Sequence, residues 1–285
     1  MTQFPHDDFA KAYLTELLRP IGTTIPNYPL KPDTRFADLW FHRSSTADSA
    51  QLGLLGELLT RDALIEVFRN PATDLEIRTS QSKLTTEETH RINRAKRKKQ
   101  SISQTQLPWL WLIMPTASPD MREGFCLRET HHPGVYDFPR LQRTGLILVH
   151  QLAKTEQTLW LRVLGRGKEQ KRAIDELTQI PEPTPLYRTI EELLTDYRAI
   201  LESRGNITPE DEELLMNLST VYLKQREEWR QEGRQRTLQE VAIGLLRNKI
   251  DPELILEITG LTPAQIQALS DRLSSHPSAS AIDED

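Results

Sequence analysis

The sequence predicts a mixed α/β domain followed by an all-helical C-terminal region, on three observations. Residues 107–114, Leu-Pro-Trp-Leu-Trp-Leu-Ile-Met, form an unbroken apolar run of strand length. Such a run suits a strand buried on both faces of a partly parallel sheet. Around it the periodicities run helix, strands, helix, strand and further strands, the order of helices layered over a mixed sheet. Beyond residue 152 the apolar spacing is helical only.

Each element has its own signal. Phe9, Tyr13, Leu14, Leu17 and Leu18 share one helical face over residues 8–18, and Pro20 and Gly22 end that helix. Pro26, Pro29 and Pro32 mark an irregular or edge segment, because proline donates nothing to a ladder. Residues 35–42 read as a strand, 53–59 as a short apolar helix and 63–68 as a second buried strand. A long helix over 74–99 opens on an aspartate cap and grows basic toward its end; residues 134–138 and 145–152 supply two more strands. Helices follow over 158–165, 169–179 and 189–204, with Pro181, Pro183 and Pro185 as a break before the last of these. Thr208-Pro209 starts a long helix that reaches about residue 248. Asp251-Pro252 caps a short helix, Gly260 supplies a left-handed stop, and Thr262, Pro263 and Gln265 open a final helix as a capping box. The expected division is a core domain over 5–155, a helical extension over 156–204, a long helix plus hairpin over 205–273, and a small, polar, acidic tail over 274–285 whose composition suits disorder.

The chain has 285 residues, 41 acidic and 36 basic, for a net charge of -5. That balance argues against a surface that is basic throughout, but leaves room for a local basic patch. The single cysteine, Cys126, excludes an intramolecular disulfide and a cysteine-rich zinc site, and suits a reducing, cytoplasmic location. No apolar run approaches the roughly eighteen residues that span a bilayer. The opening Met-Thr-Gln-Phe-Pro-His-Asp-Asp lacks a basic-then-apolar leader pattern, so no membrane partner is expected.

Two acids stand inside apolar strands: Asp38 in Phe-Ala-Asp-Leu-Trp-Phe and Glu66 in Leu-Ile-Glu-Val-Phe. A buried carboxylate is unfavourable unless it is paired or holds a metal. Converging carboxylates are what a Mg²⁺-dependent phosphodiesterase needs, because the ion activates a water and neutralises the scissile phosphate. The same acids could instead pair with bases, Asp38 with Arg35 or another base and Glu66 with Arg69 or a buried amide. Residues 90–99 hold the densest basic run, in which Arg91, Arg94, Lys96, Arg97, Lys98 and Lys99 are candidate phosphate contacts or simply a solvated helix face. The tail hairpin, with Leu256, Gly260 and Ile266, fits a helix-turn-helix template. It offers Gln265, Gln267, Ser270 and Arg272 to DNA, or serves packing and dimerisation. The long helix, with Glu227, Glu228, Arg230, Glu232, Arg234 and Arg236 around Gly233, suits a coiled-coil contact between copies or a solvated connector. His131-His132 reads as a turn before Pro133-Gly134, not as a metal site.

Residues 255–269 resemble the end of the Rpn-type recombination-promoting nucleases, transposase-like members of the PD-(D/E)XK nuclease superfamily. The segments KAYLTELLRPIG, LIEVFRNP, LPWLWLIMPTAS, LWLRVLGRGKEQKRAIDEL and NLSTVYLKQRE are similar to a cyanobacterial branch of these proteins, and the resemblance covers most of the chain. It implies a restriction-endonuclease-like core, Mg²⁺ as cofactor, DNA as partner, and a role in recombination or mobile elements. Asp8 and Lys11 resemble the family's opening helix, with Glu16 as an additional acid. Asp38 and Glu66 take the places of the two motif acids that hold the metal, and the Val67 carbonyl is a further ligand. The family's Lys or Gln falls two residues after the second acid, where this chain has Phe68, as the cyanobacterial branch does. Lys83 or Arg78 on the next helix, or Arg69, would then steady the phosphate or water. The competing reading is a non-catalytic protein that kept the scaffold and binds DNA or protein, with Phe68 sealing the site. A third is an oligomerising structural protein whose function lies in residues 205–273.

Overall fold

A computed structural model of the protein describes residues 5–30, 35–44, 48–180, 184–203 and 208–275. The tail beyond residue 275, Pro32, Pro181 and Pro183 lie outside them, as does the Arg35 side chain. In chain order the main elements are α1 (Pro5–Leu18), β1 (Gly22–Leu30), β2 (Arg35–Arg43), α2 (Gly53–Leu58), β3 (Ala63–Val67), α3 (Asp74–Arg97), β4 (Trp109–Met114), α4 (Pro119–Gly124), β5 (Arg128–Glu129), β6 (Val135–Asp137) and β7 (Thr144–Leu148). Helices follow: α5 (Leu159–Arg162), α6 (Gly167–Thr178), α7 (Pro185–Glu202), α8 (Pro209–Arg247), α9 (Pro252–Thr259) and α10 (Pro263–Ser275).

The seven strands form one mixed sheet in the order β1-β2-β3-β4-β7-β6-β5. Its centre is parallel, β3 with β4 and β4 with β7, and its flanks are antiparallel hairpins. The parallel centre is also the driest part, as expected for strands covered on both faces: every residue of β7 is buried, as are five of the six in β4. The two faces read off the strand alternation. Ala63, Ile65, Trp111, Ile113 and Ile147 join a core with α1, α2, α5, α6, α7 and the start of α8. Leu64, Leu110, Leu112, Leu146 and Leu148 join a second core under Ile77 and Leu84 of α3. The proline-bearing segment is β1, an edge strand, and the opposite edge, β5, is two residues long.

Local chemistry moves some expected boundaries. Thr73, not Asp74, caps α3, because its hydroxyl accepts from the Glu76 N–H while the Glu76 carboxylate accepts from the Thr73 N–H. Asp74 lies in the first turn instead, where a negative charge suits the helix dipole. Pro185 starts α7 rather than preceding it: Thr184 caps, and proline occupies a favoured first-turn position. The helix therefore begins ahead of the expected residue 189. Helix α4 and strand β5, which the sequence did not announce, fill the stretch between β4 and β6.

The chain forms two compact units, residues 1–222 and 223–285. The division falls inside α8 and not near residue 155, because Leu159, Trp160, Ile174, Leu194, Leu218 and Val221 share one core with Phe9, Leu17 and Ile65. In the second unit Ala242, Ile255, Leu261, Ile266 and Leu269 form a small core of their own. Its turn follows the expected chemistry. Asp251 accepts from the Glu253 N–H, Gly260 is left-handed at φ 68°, and Thr262 and Gln265 close a capping box. Among the described residues no helix is long and apolar enough to cross a membrane.

Candidate active site

Trp40 of β2 faces Leu64 of β3 in the antiparallel register, and both side chains enter the α3-side core. Strand alternation then carries Glu66, two residues after Leu64, to that same face, while Asp38 lies where the alternation of β2 breaks, between Ala37 and Trp40 of the α3-side core and beside Leu39 of the other. The ladder between the strands ends at Leu39 and Ile65. Beyond it the Asp38 carboxylate stands in for a backbone acceptor, its Oδ2 taking the Val67 N–H at 3.0 Å. On the other side of β2 the ladder with β1 is interrupted at Asn27, which faces Asp38 with φ 49°. Asn27 Oδ1 accepts from Lys11 Nζ at 2.8 Å, and the same ammonium lies 3.7 Å from Asp38 Oδ1. Helix α1 thus delivers a lysine to the first acid, and Asp8 and Glu16 line the shallow pocket beside it.

The second acid receives its lysine from α3. Ile77, Ser80, Leu84 and Glu87 form the buried stripe of that helix, and Lys83 lies beside it. Lys83 Nζ donates to both oxygens of Glu66, at 2.9 and 2.7 Å. Glu66 is 3% exposed. Burial in an apolar strand pushes its carboxyl up to about 7, with the Asp38 carboxylate adding to the rise; Lys83 and a backbone hydrogen bond from Asp38 pull the other way. The result is a compact group of two carboxylates and two ammoniums at the end of β3. Phe68, also on this face, is half buried against the α3-side core.

The other expected members are placed elsewhere. Arg69 turns toward α8, where its Nη2 donates to Glu213 at 2.9 Å, because the residue after Phe68 points to the opposite face of the sheet. Arg78 bonds back to the Asp74 carbonyl on the exposed side of α3. Of the candidates for the displaced lysine, Lys83 is the one brought to Glu66.

No family model, curated protein or solved structure matches this chain. The donor set itself therefore decides whether a metal suits the site. Two carboxylates fit Mg²⁺, which retains several waters and takes one or two protein carboxylates together with substrate phosphate. Among the described residues no group of three or more His, Cys, Asp or Glu gathers. Lys83 occupies both Glu66 oxygens, so a cation would share or displace that ammonium. The residues fit a weakly held, substrate-assisted ion and not a caged one.

The basic run divides in two. Arg91, expected to meet phosphate, is drawn into the fold. It donates to Glu87 at 3.1 Å, to Asp62 at 2.9 Å and to the Gln106 carbonyl at 3.2 Å, and its guanidinium lies 4.6 Å from the Trp40 ring centroid. Asp62 also accepts from the Arg43 N–H and pairs with His42. The Arg91→Leu variant is expected to be destabilised by about 2 kcal/mol in urea denaturation, since it strands a buried Glu87. A loss under about 0.5 kcal/mol would return Arg91 to the solvated face. Arg94, Lys96, Arg97, Lys98 and Lys99 remain exposed, where they also complement the C-terminal end of α3. In the tail hairpin, Gln265 is used in its cap and Gln267 donates to Asp271, so neither is idle for DNA.

Sequence reasoning did not find Asp62, Glu87 or Tyr28. Tyr28 stacks on Trp40 at 5.4 Å between centroids and donates to Glu87. The available signal was spacing: Glu87 follows Lys83 by one helical turn on a helix whose inward face already held Leu84.

Proposed function

We propose that this chain is a Mg²⁺-dependent DNA endonuclease with a PD-(D/E)XK core, akin to the Rpn-type nucleases, acting in recombination or on mobile elements. The single observation that carries this reading is the Lys83 ammonium on the buried Glu66, beside Asp38. Two acids and a lysine meet at the end of β3 although the lysine comes from α3 and not from β3. Asp38 and Glu66 would hold the ion, with the Val67 carbonyl as a further ligand. When bound, the ion would supply an activated water and charge neutralisation at the scissile phosphate. Lys83 orients a water or phosphate oxygen by donating from its ammonium, and its charge favours the ionised form of Glu66 against the burial that raises that carboxyl to about 7. Lys11 holds Asp38 in place through the same network as Asn27. Phe68 and the surrounding apolar residues exclude bulk water from the Glu66 side, which strengthens each of these contacts.

Plasmid and single-stranded DNA incubated with Mg²⁺ or Mn²⁺ test this. The wild type is expected to cleave and the Asp38→Ala, Glu66→Ala double variant to lose cleavage while remaining folded. The ion is also expected to raise the wild type's melting temperature and not the variant's. Equal cleavage by both proteins, or none by either, would sink the nuclease reading. A second reading has its own support: Lys83 already satisfies Glu66, and the described residues offer no third acid. On that reading the chain binds DNA, or another copy of itself through the C-terminal helices, without cutting. DNA binding in EDTA that weakens with salt, with no cleavage, would select it over catalysis.

A further inference from the structure

One basic, aromatic cleft is not used by the carboxylate site. It has a volume of about 500 Å³ and lies between the C-terminal half of α3, the β1–β2 hairpin and the loop before β4. Its floor is Tyr28 stacked on Trp40, with Ile25 at the mouth. Ile25 is 47% exposed, an apolar side chain left in water where a flat apolar ligand would cover it. The wall is His90, Arg94 and Lys98, one helical turn apart along α3. Among the described residues none of these three has a salt-bridge partner, whereas the acid lining the cleft, Glu87, is nearly buried and held by Arg91 and Tyr28. The free charge facing the ligand is thus positive. Glu87 lies about 6 Å along the helix axis from Lys83, at a rise of about 1.5 Å per residue.

We propose that this cleft binds one unstacked nucleotide, its base on Tyr28 and Ile25 and its phosphate on Arg94 and Lys98, and so selects single-stranded over duplex DNA. The size suits a nucleotide, since ligand pockets run from about 300 to 1,000 Å³. An aromatic platform beside a basic helix is the chemistry of sequence-tolerant single-strand binding, because every base has a face to stack and a paired base does not expose it. The inference rests on the nucleic-acid part of the function proposed above, and not on its metal chemistry.

The test is fluorescence anisotropy of a labelled oligothymidylate in EDTA at low salt, with the full chain. The Arg94→Glu, Lys98→Glu double variant, altered only at exposed positions, is expected to bind at least about thirtyfold more weakly and with a shallower salt dependence. Tyr28→Ala is expected to lose about tenfold, and Tyr28→Phe, which keeps the ring, about twofold at most. A duplex of matched length should bind about tenfold more weakly than the single strand. Adenosine monophosphate as competitor separates sources: displacement as effective as by the oligonucleotide assigns the cleft to free nucleotides, and much weaker displacement assigns it to a strand. No binding by the wild type, or binding that Tyr28→Ala and the charge reversal leave unchanged, would overturn the proposal. Cleft-dependent binding without metal-dependent cleavage would leave the cleft standing and the nuclease reading fallen. Cleavage with affinity unaffected by the cleft variants would do the reverse.

Discussion

The Lys83→Met variant is expected to keep losing stability as pH rises above 7, where the wild type stays level. The sign follows from Glu66, whose carboxyl is raised from 4.5 to about 7 in the folded protein. Between those values the folded chain holds a proton that the unfolded chain has released. The stabilisation from Glu66 is therefore fully present below about 4.5 and is lost as pH rises to about 7. Above that point both states are ionised and the difference is constant. Methionine retains much of the lysine's volume but removes the ammonium that favours the charged carboxylate. Glu66 then titrates higher still, and each further unit removes about 1.4 kcal/mol at high pH. Urea denaturation of both proteins from about pH 6 to about pH 9 reads this directly, because other groups cancel in the difference. Parallel curves above pH 7 would mean that Lys83 does not support the ionised carboxylate. In the cleavage assay the same change is expected to lower the rate on the order of 10²–10³-fold, the usual loss when one preorganised donor is removed.

The largest stability effect is expected at Trp160. Its indole is 1% exposed, its N–H donates to the Gln51 carbonyl at 2.9 Å, and its ring meets Tyr187 at 4.5 Å between centroids. Its own carbonyl accepts from the buried Tyr13 hydroxyl at 2.8 Å. One residue of the short helix α5 therefore ties α1, the turn before α2, and α7. Trp160→Ala removes the ring from a close-packed site and is expected to destabilise the first unit by about 3–5 kcal/mol. Trp160→Phe keeps most of the apolar contact and loses one hydrogen bond to a carbonyl on the exposed Gln51, so about 1–2 kcal/mol is expected. Thermal or urea unfolding of the pair distinguishes packing from hydrogen bonding. Equal losses for alanine and phenylalanine would place the effect in the Gln51 contact alone.

The strands holding the acids were legible because an Asp or Glu inside Phe-Ala-Asp-Leu-Trp-Phe or Leu-Ile-Glu-Val-Phe is conspicuous against its neighbours. Lys83 was legible only as one of several candidates. The choice depends on which side of α3 meets the sheet, and that side is fixed by Ile77 and Leu84 packing on strands distant in sequence. Arg91 was misplaced for the same reason. A basic run looks uniform in sequence, yet helical rotation aligns Arg91 with Leu84 and Glu87 and turns it inward. Asp62 gave no local sign of collecting Arg91, His42 and the Arg43 amide, since those partners come from two other segments, β2 and α3. The boundary expected near residue 155 followed the change from strand to helix. That change marks a new layer and not a new core, and periodicity does not say which surface a helix will cover. The tail hairpin was readable to the residue because its caps are made by neighbours in sequence, Asp251 with Glu253 and Thr262 with Gln265.

The two rims of the sheet have a consequence for how copies of this protein meet. An exposed strand normally offers a row of amides and carbonyls on which another chain can grow. Strand β1 breaks that row, because Pro26 and Pro29 carry no amide hydrogen and Asn27 between them leaves the extended conformation. Strand β5 is only Arg128 and Glu129, both exposed and charged. Neither rim can template continuous β-polymerisation, so concentrated solutions are protected from fibril growth through the native sheet. Association between native copies is left to side-chain surfaces, which are reversible and tunable by salt.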